Sequence, residues 1–365
     1  MNLRCEEPPD LPANSTGRVH QHGRANVLTD AKDAESGESS VQTSHFLERE
    51  DVRARFSVID KAVDSFIVTE RGEPAVLYDA AQHLLKAGGK RVRSLLVILS
   101  CEGVGGNIED AMPFALTIEL LQTASLIHDD IIDEDLIRRG VQTTHELFGN
   151  KIAVIAGDLL IGLALRMIGK MATPELLTRL GEGGIKMCEG EVADFLMAPE
   201  RADCLTVANY LSVIGNKTAA FMREAAAIGA MLGKGTESQQ EALGKYGEKL
   251  GYAFQIRDDV LDVRSTTHLT GKSVLSDLRN GRCSYPLVYA LENSSARDKS
   301  ACLAALRKHD FRPALKLISK SGALERAVDL AKGYVVEAKQ AVSTQELANR
   351  SLLEGLADFV VERIY

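Results

Sequence analysis

Two aspartate clusters are the residues best equipped to do chemistry in this chain. Asp129-Asp130-Ile131-Ile132-Asp133 and Asp258-Asp259-Val260-Leu261-Asp262 share one spacing, and each closes an apolar run of helical periodicity. Residues four apart on a helix project from one face about one turn from each other, so Asp129 pairs with Asp133 and Asp258 with Asp262. Like charges placed in this way destabilise a helix. Their recurrence implies a compensating ligand, and a hard divalent cation supplies it. Magnesium prefers oxygen donors, keeps several waters, and is held by one or two carboxylates together with substrate phosphates. Two such clusters facing one another would hold several ions around a diphosphate.

Basic residues complement the acids. Ala87-Gly88-Gly89-Lys90-Arg91-Val92-Arg93 sets three cations beside a double glycine. Glycine lets backbone amides approach phosphate oxygens, lysine gives a point charge, and arginine gives a bidentate fork. Arg138-Arg139-Gly140 follows shortly after Asp133. Carboxylates for metal beside arginines for phosphate suit the handling of a diphosphate. His128 adjoins Asp129 and is expected to support or cap it rather than act as a general base.

The elements that must position these groups are helices. From Phe46 onward apolar residues recur at three- and four-residue spacing, as in Val58–Phe66, Phe114–Ile132 and Leu303–Ile318, with glycine and proline breakers between segments. This predicts an all-α fold, a single large domain over 46–365, with its ligand site in the bundle core between facing helices. Residues 1–45 are polar and poor in large apolar groups, which predicts a flexible extension; His20 and His22 belong to it. The apolar stretch 152–168 contains Asp158 and Arg166 and is short for a membrane span, so it reads as a buried helix.

Bulk properties exclude several classes. The net charge is −8, from 51 acidic and 43 basic residues, which disfavours nucleic-acid binding. Six cysteines lack any C-x-x-C pair and fit reduced thiols better than disulfides or zinc. The N-terminal region has no secretory apolar core, and its acidic residues are foreign to transit peptides, so a cytoplasmic setting is expected.

Together, GGKRVR at 88–93, ELLQTASLIHDDIIDEDLIRRG at 119–140, GNKTAAF at 215–221, and FQIRDDVLD with GKSVLSDLRNGR ending at Arg282 resemble the ordered motif set of the trans-polyprenyl diphosphate synthases, especially their medium- and long-chain members. The resemblance spans about residues 47–365. It implies an isoprenoid-synthase-type bundle of helices around a deep central cavity, usually in a homodimer, with two to three magnesium ions. Carried over residue by residue, it implies that Lys90, Arg93, Gln122 and Arg139 bind isopentenyl diphosphate. Asp129 and Asp133 would hold metal with Asp130 supporting, and Asp258 and Asp262 would hold a further ion from the opposite wall; Asp130 and Asp259 are counted with them in the catalytic clusters. Arg138, Lys217, Thr218, Gln255, Lys272 and Arg282 would meet the allylic diphosphate, Thr218 and Gln255 lining its reacting end and Lys217 and Gln255 counted as catalytic. Two departures bear on geometry: Ser94 replaces a frequent proline, and GRCSYP at 281–286 replaces a more usual GKxTLP. Glu189-Gly190-Glu191 resembles a family motif, with at most a supporting role.

The implied reaction is a magnesium-assisted condensation of isopentenyl diphosphate with an allylic diphosphate, head to tail and trans. Ala124 and Ser125, five and four residues before Asp129, are small where short-chain members carry Phe or Tyr. A product longer than twenty carbons is therefore expected, with Leu121 and its neighbours as the next floor. Alternatives are a geranylgeranyl or farnesyl diphosphate synthase, a terpene cyclase and an inactive regulatory subunit. A cyclase has no need of a second diphosphate site, and an aromatic content of 5% with no Trp gives little π surface to guide a cation. A regulatory subunit would be expected to lose carboxylates from one cluster. Partners are the two diphosphates, without nucleic acid and with at most peripheral membrane contact for product release.

Overall fold

The computed structural model describes residues 45–264 and 276–362. Its first helices are α1 His45–Glu48, α2 Glu50–Thr69, α3 Ala75–Lys86, α4 Val92–Gly103 and α5 Ile108–Ile132. After a short hairpin come α6 Thr144–Phe148, α7 Asn150–Ile168, α8 Pro174–Leu196, α9 Val207–Ile214, a π-helical turn Gly215–Ala219, α10 Ala220–Leu232 and α11 Glu237–Arg264. The chain closes with α12 Ser276–Arg279, α13 Tyr285–Glu292, α14 Ala296–Leu306, α15 Arg312–Ser321, α16 Ala323–Val342 and α17 Arg350–Glu362. The all-α expectation holds. The polar extension anticipated over residues 1–45 lies, up to residue 44, outside the described residues, as does Lys272.

Helix α5 explains how a metal-binding motif can end a buried helix. The Asn107 side chain accepts the Asp110 N–H at 2.8 Å and starts it. Phe114, Ala115 and Ile118 pack into a core shared with α4, α10 and α11. Leu116, Leu120, Ala124 and Ile127 pack instead against Leu84 and Leu85 of α3 and Ala156 and Leu160 of α7. Truncating a fully buried Leu120 to Ala costs about 2–5 kcal/mol. These two faces leave a third stripe, Glu119, Gln122, Ser125, Leu126 and Asp129, to line a cavity.

Close helix approach holds the other walls. A Cβ on Gly229 of α10 would lie 2.3 Å from the Val97 carbonyl oxygen of α4, so this contact admits only glycine. Between α9 and α10 the π turn adds one residue to the helical repeat, closed by the Ala220 N–H on the Gly215 oxygen. Such turns cluster at functional sites, and this one carries Lys217 and Thr218.

Extended structure among the described residues is the pair β1 Ile137–Arg138 and β2 Val141–Gln142, antiparallel, with Ile137 opposite Gln142. Arg139 (φ 55°) and Gly140 (φ 77°) form its turn, both left-handed, as a two-residue type I′ hairpin requires. Periodicity did not announce it, because two residues per strand are too few to show alternation.

Helix α7 forms where the apolar stretch predicts, but it is not buried all round. Ala153, Ala156, Leu160 and Ala164 face α5 and α3, whereas Val154, Ile155 and Leu165 are exposed. No helix among the described residues is long and apolar enough to cross a membrane. Cys101, Cys188, Cys283 and Cys302 are free thiols, as read from the sequence.

Candidate active site

A cavity of about 590 Å³ collects the chemistry-bearing residues. Lys90 and Arg93 come from the segment entering α4, Gln122, Ser125 and Asp129 from α5, and Arg138 and Arg139 from the hairpin. Lys217 and Thr218 come from the π turn, Gln255, Asp258 and Asp262 from α11, and Arg282 from the segment before α13. Segments far apart in sequence thus converge on one space.

The first aspartate cluster is densely charged. Asp129 is pushed up to about 7 by burial first and then by the charge of Glu191, with Lys217 and Arg282 pulling the other way. Asp133 caps α5, accepts from the Arg282 guanidinium, and is pushed up to about 6, mainly by burial. Asp130 differs in kind. It is fully buried and accepts from Arg138 at 2.6 Å, so it holds an arginine instead of meeting a ligand. Asp135 binds the same guanidinium at 2.7 Å. This suits the supporting role expected of Asp130.

The second cluster divides the same way. Asp258 and Asp262 are partly exposed to the cavity, and the Lys90 ammonium stands 3.8 Å from Asp258. Asp259 borders the cavity but is only 3% exposed, and its oxygens accept from Tyr210 Oη (2.7 Å), the Tyr285 N–H (2.8 Å) and Gln255 Nε2 (3.0 Å). Asp259 too is a positioning group. Thr218 donates to Gln255 Oε1 at 3.0 Å, which fixes the amide with its nitrogen toward Asp259.

Of the basic residues in the glycine-rich segment, Lys90 and Arg93 line the cavity beside Phe254, and Arg91 is held by acids. Lys90 and Arg93 lie over the Phe254 ring, 5.9 and 5.6 Å from its centroid. Arg91, 5% exposed and in left-handed conformation, is bound to Glu119 and reaches Asp60 at 3.3 Å. Arg139 donates to the Leu84 oxygen at 2.7 Å and packs against Gly89; burial holds it down at about 10. His128 turns away from the cavity to the Val154 carbonyl of α7 at 3.1 Å, in line with a supporting role.

Sequence reasoning gave Glu191 on α8 at most a supporting role and missed Asp194. Glu191 and Asp194 each approach the Lys217 ammonium to 2.7 Å, and Arg282 lies 3.5 Å from Glu191. Burial disfavours the Lys217 charge, but Asp194 and then Glu191 outweigh it and raise the ammonium above its ordinary value. Gly190 permits this approach: a Cβ there would sit 2.2 Å from the Lys217 nitrogen. The signal was Glu-Gly-Glu-x-x-Asp, whose i,i+3 acids share a helix face. Of the anticipated floor, Ser125 lines the cavity, whereas Ala124 is 1% exposed and packs in the α3–α5–α7 core. Leu121 is half-buried against both apolar cores.

This geometry has known counterparts. The model of the family described as polyprenyl synthetase matches residues 74–317. The chain belongs to that family. A short chain isoprenyl diphosphate synthase of Methanothermobacter thermautotrophicus is 39% identical over 298 residues, covering 80% of this chain and 91% of that protein. Among solved structures, a polyprenyl synthase of Caulobacter crescentus complexed with calcium and isoprenyl diphosphate superposes with a TM-score of 0.79 at 32% identity, covering 88% of this chain and 97% of the other. A decaprenyl diphosphate synthase of Rhodobacter capsulatus gives 0.78 at 30%, covering 87% and 99%. This chain is accordingly a transferase of alkyl groups with the helical fold of those structures.

The donors in this synthetase fit a divalent metal of the hard kind. Asp129, Asp258 and Asp262 offer carboxylate oxygens to one cavity, and burial raises Asp129 in a way that a cation would relieve. Among the described residues no three Asp, Glu, His or Cys side chains gather tightly enough to cage an ion alone. Magnesium does not need such a cage, because water and substrate phosphates complete its shell.

Proposed function

We propose that this chain joins isopentenyl diphosphate to an allylic diphosphate, head to tail and trans, giving a lengthened polyprenyl diphosphate and inorganic diphosphate. The convergence of both aspartate clusters and the separate basic groups on one cavity carries this reading. Lys90, Arg93, Gln122 and Arg139 bind the isopentenyl diphosphate. Lys217, Arg138, Arg282 and, beyond the described residues, Lys272 take the allylic diphosphate. Asp129, Asp133, Asp258 and Asp262 would hold two to three magnesium ions. Magnesium, when bound, neutralises diphosphate oxygens and eases the departure of that group. The protein then orients the isopentenyl double bond on the allylic carbon, so that a C–C bond forms as the C–O bond breaks. Gln255 Oε1 and the Thr218 hydroxyl supply dipoles at that carbon. The proton lost from the new chain passes to the released diphosphate.

The product we propose exceeds twenty carbons. Ser125 supports this, being a small side chain on the cavity stripe of α5, about 6 Å before Asp129. Because Ala124 packs toward α7, Ser125→Phe is the informative substitution there.

A second copy of the chain is the proposed partner. Val154, Ile161 and Leu165 on α7, and Leu177, Ile185, Val192 and Phe195 on α8, form exposed apolar stripes that a monomer would rarely leave bare. Light scattering checks this: Ile185→Lys with Val192→Lys should yield monomers. The proposed setting is the cytoplasm, with at most peripheral membrane contact as product leaves.

One experiment tests the whole reading. Purified protein, magnesium, radiolabelled isopentenyl diphosphate and allylic starters of increasing length are incubated together, and dephosphorylated products are sized. Labelled products longer than C20 are expected. Failure to label any product in magnesium, or undiminished labelling with chelator, would refute it.

A further inference from the structure

The segment GRCSYP departs from the family's GKxTLP, and the departure is built into a contact. Tyr285 stands where leucine is usual, and its ring meets that of Tyr210 from α9 edge-on, with centroids 5.6 Å apart at 67°. On the other side it stacks on Tyr289 at 5.9 Å. Tyr210, Asp259 and Tyr285 are each under 5% exposed.

Both tyrosines end on one carboxylate oxygen. Asp259 Oδ2 accepts from the Tyr210 hydroxyl at 2.7 Å and from the Tyr285 backbone N–H at 2.8 Å. Asp259 Oδ1 accepts from Gln255 Nε2 at 3.0 Å, and Gln255 Oε1 accepts from Thr218 at 3.0 Å. Three elements, α9, α11 and the start of α13, are thereby fastened around one buried acid. One arm of the fastening sets the Gln255 amide, and the other ties the segment carrying Arg282 to α11.

We propose that Tyr210 is a positioning residue for the condensation: its hydroxyl holds Asp259 in the rotamer that keeps the Gln255 carbonyl aimed at the reacting end of the allylic diphosphate. This rests on the reading of Gln255 and Arg282 given under Proposed function. Removing the hydroxyl leaves the ring packing intact, but frees Asp259 to rotate and lets the Gln255 amide turn over. Lys90 and Arg93 come from the segment entering α4 and Arg139 from the hairpin, not from the three elements fastened here, so the isopentenyl site keeps its geometry.

The test is steady-state kinetics of Tyr210→Phe in the full chain, beside Gln255→Ala and Arg282→Ala. Outer-shell partners of a working group typically cost about 10–100-fold on removal, and a kcat loss of that size is expected. The KM for isopentenyl diphosphate should stay within about twofold, since its site is untouched. In a Gln255→Ala background the same change should cost no more than about threefold, because residues acting through one another are not additive. A merely structural tyrosine would instead lower the melting temperature and subtract equally in both backgrounds, and that result overturns the proposal. Wild-type kcat in Tyr210→Phe, with Gln255→Ala impaired, overturns it while the site assignment stands. Wild-type kcat in Gln255→Ala and Arg282→Ala as well would bring down the site assignment itself.

Discussion

The two aspartate clusters have the same spelling and opposite surroundings. In each, the middle acid is buried; Asp129, Asp258 and Asp262 line the cavity, while Asp133 caps α5 and binds Arg282. The middle acid on α5, Asp130, binds a full cation, Arg138, whereas its counterpart on α11, Asp259, accepts from a phenol, a peptide N–H and an amide. The outer pair on α5 faces Glu191 and Arg282, while Asp258 on α11 meets Lys90. A motif repeated in sequence is thus two devices. The α5 cluster manages net charge, and the α11 cluster sets the direction of a dipole.

The largest effect should come from the outer acids. Asp129→Asn is expected to reduce kcat/KM about 10³-fold, as loss of several kcal/mol of metal-assisted charge stabilisation would, measured by product formation in saturating magnesium. A loss under tenfold would show that α11 alone suffices, and the comparison would break.

Next come the buried middle acids, read by urea unfolding. Asp130→Asn strips the partner from a buried arginine and should cost about 3–5 kcal/mol, less whatever Asp135 restores. Asp259→Asn replaces an acceptor among neutral donors and should cost about 1–3 kcal/mol. Equal losses would mean that the charge of Arg138 is not what separates the clusters.

The charge on α5 also gives a pH signature. Asp129 and Asp133 rise from 3.8 to about 7 and about 6, so the folded state binds their protons more tightly than the unfolded state does. Their contribution to stability is therefore favourable at low pH and is lost as pH rises through that window. Melting temperatures in chelator should fall between these values, Asp129→Asn should flatten the curve, and magnesium with diphosphate should restore it. A rising curve would place the burden elsewhere. The smallest energetic effect belongs to Ser125→Phe, which should shorten the product with little change in melting temperature. An unchanged product length would remove this face of α5 from length control.

Much of this was legible beforehand because the relevant signals are local. Helical period, the i,i+4 acids and the basic segment beside two glycines depend on neighbours in sequence, and all reappear around one cavity. What stayed hidden depends on distant pairing. Nothing near Asp259 in sequence announces Tyr210, 49 residues away, as the bonded partner. The direction of Ala124 follows from which side α7 packs on, not from its distance to Asp129. The Arg139-Gly140 hairpin depends on two left-handed residues that leave no periodic trace.

The π turn at Gly215–Ala219 carries one more consequence. One extra residue rotates all that follows by about 100° relative to an uninterrupted helix. Tyr210 before the turn therefore addresses Tyr285, while Phe221 after it meets Gly183 of α8. Chain length is itself information here: deleting one residue of GNKTA would put α10 out of phase with α8 and strand Lys217, even with every remaining side chain unaltered.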